Sequence, residues 1–333
     1  MPTPVLIDTD TGIDDAVAIA LAGATESLRV VALTTVHGNV EVERATRNAR
    51  EVAKLAGIDA PVIAGAAAPL HRPPRPARET HGEEGLGWVR PATPAVPEPD
   101  RAAEAIIAAA AECPGLALCC LGPLTNLARA VERAPELPRT VGPLFVMGGA
   151  LAVRGTQTRW SEFNWWADPE AADLVLRAGF DLRLVPLDVT RRIAVPGRAI
   201  RALERAGALD PAARFWADAL RFYAEFHRAW ESFDGCVVND ALAVALVADP
   251  ALARWAPMRL AVSTSDDERR GAVARVAEHG ARAMVAVDTR ARDVLSLLER
   301  RVFARWLPPG ALAPGADAAE RWLAEHPLHG ERA

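Results

Sequence analysis

A chain of 333 residues, half of them hydrophobic and 24% charged, can bury a sizeable core and has the composition of an ordinary soluble globular protein. Its formal net charge of −5 gives no electrostatic reason to expect nucleic acid or an anionic membrane as partner, and no apolar run is long enough to span a bilayer. Lys54 is the only lysine, and the abundance of Arg and Ala reads as compositional bias rather than a phosphate-binding surface.

The chain begins Met-Pro-Thr-Pro directly before an apolar run, Val5–Ile7, which predicts a buried strand and no signal peptide. The run stops at Asp8, and Thr9-Asp10-Thr11-Gly12 is turn chemistry. From Ile13 the apolar residues recur at helical spacing. Leu28–Val36 reads as a second strand, Glu41–Ala56 as a helix closed by Gly57, and Pro61–Ala64 as a short third strand. Residues 66–99 form a long segment rich in Pro, Arg and Gly that holds His71, His81 and the string HGEEGLG; a loop of this length inside a compact domain is usually functional or disordered. Ala102–Ala111 reads as a helix and Leu116–Leu121 as a fully buried strand, with Cys119 and Cys120 as core thiols. The four cysteines, Cys113, Cys119, Cys120 and Cys236, have neither zinc-ligand spacing nor a disulfide framework, which with the N-terminus predicts a cytoplasmic protein. Strands are expected at Leu144–Met147 and Leu182–Leu187, the latter ending in Asp188, with a helix opening at Pro169-Glu170 between them. Ala212–Trp230 is amphipathic and rich in aromatic residues; Asp240–Val247 reads as a helix. Arg259–Ser263 and Ala283–Val287 read as late strands, an antiparallel addition, and Val294–Trp306 and Ala318–Ala324 as closing helices. Alternating strands and helices predict an α/β fold: a Rossmann-like, open, mostly parallel sheet flanked by helices, with further C-terminal helices and strands. No repeat or linker divides the chain, so residues 1–333 are expected to form one domain.

Polar residues collect where such a sheet binds ligands, beyond the carboxyl ends of its strands. Asp8, Asp10, Asp14 and Asp15 crowd the first strand-to-helix junction, Asn39 follows the second strand, Thr125 and Asn126 follow LALCCL, and Glu162 and Asn164 follow LFVMGG. Each has a plain alternative, as turn residue, helix cap or solvated charge, but capping a helix takes one Asp and not four. So many carboxylates repel unless a helix dipole and a cation relieve them. Oxygen ligands without Cys or His suit Ca²⁺ or Mg²⁺.

DTDTGIDDAVAIA resembles the N-terminal signature of the nucleoside hydrolases, DxDxGxDDAxA. The resemblance continues in TTVHGN (34–39), LGPLTNLA (121–128), VMGGA (146–150) with SEFNWWADPEAA (161–172), and Asn239-Asp240 before the helix ALAVAL. It implies hydrolysis of the N-glycosidic bond of ribonucleosides to ribose and free base, with one bound Ca²⁺ held by Asp10, Asp15, Asp240 and the main-chain carbonyl of Thr125. It further implies Asp10 as general base on a metal-bound water, Asp14 and Asn164 on the ribose hydroxyls, Glu162 on the 5′-hydroxyl, and Asn39 and Met147 lining the sugar. His81 matches a position on a mobile loop over the base. A homodimer or homotetramer is the assembly implied.

This sequence departs from the pattern at three places. Many family members have His before the last metal Asp, as leaving-group acid; here it is Asn239, and an amide delivers no proton at neutral pH. Thr156 stands where Asn is frequent, at the 5′-hydroxyl contacts, and Thr11 replaces a frequent Pro. His227, one helical turn after Tyr223 and on the same face, is expected to take the acid's role, with His81 second and Tyr223 on the base; a structural histidine is the plain alternative for His227. Three further histidines, His279, His326 and His329, lie in polar segments and read as bystanders. Two rival functions are a nucleoside-binding protein with weakened catalysis, motivated by Asn239, and a haloacid-dehalogenase-like phosphatase using Asp8 and Asp10. The second wants a Lys or Arg near a phosphate, and Gly12 and the Asp14-Asp15 pair do not suit its pattern.

Overall fold

The computed structural model describes residues 1–313. Among the described residues eleven strands occur in chain order: β1 (Thr3–Thr9), β2 (Leu28–Thr35), β3 (Val62–Ala64), β4 (Ala117–Cys120), β5 (Leu144–Met147), β6 (Leu182–Val185), β7 (Ala194–Pro196), β8 (Gly235–Val237), β9 (Ala253–Val262), β10 (Val273–Arg275) and β11 (Ala281–Thr289). Nine of them form one sheet in the order β10-β9-β11-β6-β5-β4-β1-β2-β3, while β7 and β8 make a separate antiparallel pair. The pairings from β3 across to β11 are all parallel, and β9 runs antiparallel to both of its neighbours.

The unbroken apolar runs follow from burial on both faces. Val5, Ile7, Cys119, Phe145 and Met147 enter one core with the helices Ile13–Gly23 and Asn239–Ala248, whereas Leu6, Leu118, Cys120, Leu144 and Val146 enter the other with Ala102–Glu112, Thr125–Arg133 and Pro169–Arg177. Cys119 and Cys120 are thus core thiols, as expected.

Strand order reverses between β1 and β4, with β2 and β3 on one side and β4, β5 and β6 on the other. That switch leaves a crevice beyond the strand ends, where Asp10, His37–Asn39 and Thr125 emerge.

Some elements differ from expectation. Strand β6 stops at Val185; Leu187–Thr190 is a helical turn, and Asp188 within it accepts the N–H groups of Leu151 (3.0 Å) and Ala152 (2.8 Å). Of the two late strands, β9 is antiparallel but β11 continues the parallel part beside β6. The helix Gly197–Gly207, the β7–β8 pair and β10 were not foreseen. The closing helix spans Ala291–Leu298 and then widens over Glu299–Phe303; the expected helix 318–324, with His326 and His329, lies outside the described residues. Among the described residues no helix is long and apolar enough to cross a membrane.

Candidate active site

The chain leaves β1 and enters the helix Ile13–Gly23 after three residues, so Asp10 sits in the turn and Asp14 and Asp15 in the first helical turn, beside the positive end of the dipole. Gly12 is forced by crowding, since a Cβ there would come within 2.5 Å of His81 Nδ1 and 2.6 Å of Asn39 Nδ2. Asp240 arrives from the first turn of the helix Asn239–Ala248. All four carboxylates are buried.

One carboxylate oxygen from each of Asp14, Asp15 and Asp240 lies within 4.8 Å of the others. This trio contains Asp14, which the sequence assigned to ribose, and Asp10 borders it rather than joining it. Asp10 Oδ2 accepts the Asn39 N–H at 2.7 Å, and its Oδ1 is a buried atom without a partner. Asp15 accepts from Thr9 Oγ1 (2.5 Å), the Gly12 N–H (2.9 Å) and Asn39 Nδ2 (3.0 Å). Asn39 therefore holds two aspartates and is more than a turn residue. Asp14 Oδ2 lies 3.4 Å from the Tyr223 hydroxyl and 3.5 Å from Asn239 Nδ2, while the Thr190 hydroxyl donates to Asn239 Oδ1 at 2.8 Å.

Burial, reinforced by mutual repulsion, makes these carboxylates costly to ionise. Burial first and the Asp15 charge second push Asp14 up to about 7 and Asp10 well above the carboxylate range. Asp240 rises in the same way, from burial and then Asp14; Asp15 rises through burial against its hydrogen bonds.

Asn164 Nδ2 donates to the Leu121 carbonyl at 2.6 Å and lies 3.6 Å from Met147 Sδ, so Asn164 and Met147 are neighbours. Glu162 caps the helix Phe163–Ala167: Oε1 accepts the Asn164 N–H (2.7 Å) and Oε2 those of Gly149 (3.0 Å) and Trp165 (3.2 Å). Burial still lifts it to about 7 against those bonds. Thr156 is not aimed at this cluster. It is exposed, and its hydroxyl accepts the Phe163 N–H at 3.1 Å.

The histidines differ sharply. The segment 66–99 carries a short helix, Arg78–His81, pinned by Arg47 to Glu84 (2.7 Å) and by Asn48 Nδ2 to the Glu84 carbonyl (2.8 Å). His81 Nδ1 accepts the Ile13 N–H at 3.2 Å, so the neutral ring carries its proton on Nε2; burial drives its pKa down to about 3. His227 Nδ1 donates to the Tyr223 carbonyl at 2.8 Å, and Nε2 faces the Val237 N–H at 3.5 Å and Glu231 at 3.9 Å. Tyr223 stands between them, its ring 5.3 Å from His81 and 4.5 Å from His227. His279 is exposed.

Sequence reasoning missed two participants, His37 and Asp168. His37, quoted only inside TTVHGN, is buried with Nε2 2.9 Å from Thr125 Oγ1; that hydroxyl donates at 2.6 Å to Asp168, quoted only inside SEFNWWADPEAA. Asp8 turns away from the cluster, accepting from Thr34 Oγ1 (2.6 Å) and Asn126 Nδ2 (2.7 Å), and burial raises it to about 7. Asn126 is spent on this interior contact and on the Ala66 N–H.

A hard divalent cation fits this donor set: buried carboxylate oxygens without sulfur or imidazole, and an orphaned oxygen on Asp10 beside them.

The family described as inosine-uridine preferring nucleoside hydrolase matches residues 5–296. The non-specific ribonucleoside hydrolase RihC of Escherichia coli O127:H6 is 37% identical over 288 residues, 80% of this chain and 86% of that protein. The probable uridine nucleosidase 1 of Oryza sativa subsp. japonica is 33% identical over 249 residues, 74% of this chain and 76% of the relative. Among solved structures, the plant nucleoside hydrolase PpNRh1 superimposes with a TM-score of 0.83 at 34% identity, covering 90% of this chain and 99% of its own. The purine-preferring ribonucleoside hydrolase of Gardnerella vaginalis gives 0.82 at 27% identity, covering 90% and 98%. These matches leave the phosphatase reading without support, and the chain belongs to the inosine-uridine preferring nucleoside hydrolase family, whose members cleave N-glycosyl bonds.

Proposed function

We propose that this protein hydrolyses ribonucleosides to ribose and free base, with Ca²⁺ held by Asp10, Asp15, Asp240 and the main-chain carbonyl of Thr125. The observation that carries this reading is the buried cluster of aspartates at the switch point, which folding alone gives no reason to assemble. The bound cation would offset the repulsion among the carboxylates and lower the pKa of a water.

Asp10 is the general base: Oδ2 is fixed by the Asn39 N–H, and Oδ1 is the oxygen left to accept a proton. Asp14 accepts from a ribose hydroxyl. Asn164, its NH₂ end committed to Leu121, presents its carbonyl oxygen to another. Surrounding carboxylates stabilise the positive charge that develops on the ribose as the glycosidic bond breaks. Glu162, already a helix cap, serves the 5′-hydroxyl with the oxygen lone pairs that remain, and Asn39 and Met147 line the sugar. Thr156 acts through the loop it ties to Phe163.

Negative charge on the departing base needs a donor. The geometry supports His81 for this task ahead of His227, the reverse of the sequence ranking. His81 has its Nε2 proton left to give, whereas both His227 nitrogens face main-chain groups. Tyr223, packed between the two rings, lines the base side.

The test is release of reducing sugar from a panel including uridine, inosine and their 2′-deoxy analogues. Ribonucleosides should be cleaved, chelation should abolish turnover and Ca²⁺ restore it, and D10A should be inactive. Deoxyribonucleosides should fall by about 10⁴-fold in kcat/KM, the usual discrimination of a site built to bond a hydroxyl. Full turnover by protein shown by elemental analysis to be metal-free would refute the metal assignment. Nucleoside binding in calorimetry without sugar release would instead favour the binding-protein reading that Asn239 motivates.

A further inference from the structure

The turn that follows β2 touches three of the four groups assigned above to the cation. Its Asn39 N–H meets Asp10 Oδ2 at 2.7 Å, its Asn39 side chain meets Asp15 Oδ2 at 3.0 Å, and its His37 Nε2 meets Thr125 Oγ1 at 2.9 Å. The first two contacts act on carboxylates directly. The third acts on Thr125 through a chain of hydrogen bonds that runs on into Asp168.

The direction of that chain is fixed by its acceptor end. Asp168 takes the Thr125 hydroxyl at 2.6 Å, the Leu70 N–H at 2.9 Å and the Ala171 N–H at 3.1 Å, so it serves as acceptor throughout. A hydroxyl has one proton to give, and Thr125 gives it to Asp168; its oxygen must then accept from His37, which carries a proton on Nε2. His37, Thr125 and Asp168 are all buried, which shields these bonds from bulk solvent. Thr125 is also the first residue of the helix Thr125–Arg133, so its side chain, gripped from both sides, sets where that helix begins and with it the position of the Thr125 main chain.

We propose that His37 is a positioning residue: the bond it donates to Thr125, backed by Asp168, holds the Thr125 main chain where it can ligate the cation. This rests on the metal site proposed above. Partners that orient ligands in this way typically account for about 10–100-fold in metal affinity.

The experiment is calorimetric titration of Ca²⁺ into the chelator-stripped, full-length protein. His37→Phe fills the space and removes the donor; His37→Gln keeps an N–H donor. Thr125→Val removes the hydroxyl and leaves the carbonyl. We expect H37F and T125V each to weaken Kd by about 10–100-fold, H37Q to stay within about threefold of wild type, and the H37F/T125V double variant to be no worse than either alone. Additive losses in the double variant would overturn the proposal, because His37 would then act independently of Thr125. Unchanged affinity in H37F would overturn it as well and leave the metal site itself standing. If H37F does not fold, H37L enters the same cycle with the same expected outcome. Lack of Ca²⁺ binding by the wild type would sink the metal assignment, and this inference with it.

Discussion

His81 and His227 are both buried beside Tyr223, yet their hydrogen bonds give them different chemistry. Burial disfavours the His81 imidazolium, and a backbone N–H donating to Nδ1 leaves the neutral ring's proton on Nε2, so this ring acts as a neutral donor rather than a strong acid. Removing one donor aimed at developing negative charge costs about 10²–10³-fold in kcat. H81A should therefore slow cleavage of uridine or inosine by about that factor and leave p-nitrophenyl riboside, whose phenolate departs unaided, nearly untouched; H227A should cost less on the natural substrates. Equal losses on both substrates in H81A would mean that the ring only shapes the pocket. Position at the strand ends named Asp10, Asp14, Asp15, Asn39 and Asn164 as candidates, and the family resemblance added Asp240. Neither could reveal His37, whose partner lies 88 residues on, or the reach of Asp168 to a hydroxyl 43 residues back. Nor could either separate Asp8 from its neighbours. Only the strand's fixed direction shows that Asp8 faces Thr34 and Asn126 instead of the cluster.

At the scale of elements, the site depends on turns that bring backbone against carboxylate. Gly38 is the tightest example: a Cβ there would lie 2.0 Å from Asp10 Oδ2 and 2.8 Å from Asp10 Cβ, so the collision involves more than a flexible tip. Asp10 cannot retreat without losing the Asn39 N–H. Displacing a reacting group by about 1 Å can cost about 10²-fold in rate. G38A should lose about that much in kcat while keeping the far-ultraviolet circular dichroism and cooperative unfolding of the wild type. Wild-type turnover in G38A would contradict the assignment of Asp10 as base. The helices and strands themselves were largely readable, because a run buried on both faces is apolar throughout and a flanking helix repeats at its own period. The misses share a cause. Leu187–Thr190 follows Pro186 and continues an apolar run, so nothing local marks the end of β6 at Val185. The edge strand β10 has only three residues, too short to show a period.

For the whole molecule, the alternation of strands and helices implied a parallel sheet but not its width, because β11 joins β6 across a long stretch of intervening chain. The sheet's switch point has a thermodynamic consequence. It gathers buried carboxylates whose ionisation the fold resists: burial lifts Asp8, Asp14 and Glu162 to about 7 and raises Asp10 and Asp240 well above the ordinary carboxylate range. Without a cation, the folded protein holds protons that the unfolded chain, with carboxylates titrating near 3.8 to 4.5, has already lost. Stability therefore falls as pH rises toward and through about 7. His37 and His81, depressed to about 3 by burial, pull the other way, but only below their ordinary 6.5, where the unfolded chain takes up protons first. Between about pH 6.5 and 8 the carboxylates stand alone, and the metal-free protein should lose stability across that interval. Ca²⁺ competes with protons for the same oxygens, so its stabilisation should be greater at pH 8. At 100 times its Kd a ligand specific to the folded state contributes about 2.7 kcal/mol. Thermal unfolding of stripped and Ca²⁺-loaded protein at both pH values measures this: the stripped protein should melt lower at pH 8 than at pH 6.5, and Ca²⁺ should raise Tm more at pH 8. A stripped protein at least as stable at pH 8 would mean that the fold tolerates these charges without a cation, and the physical case for a metal at the switch point would fail.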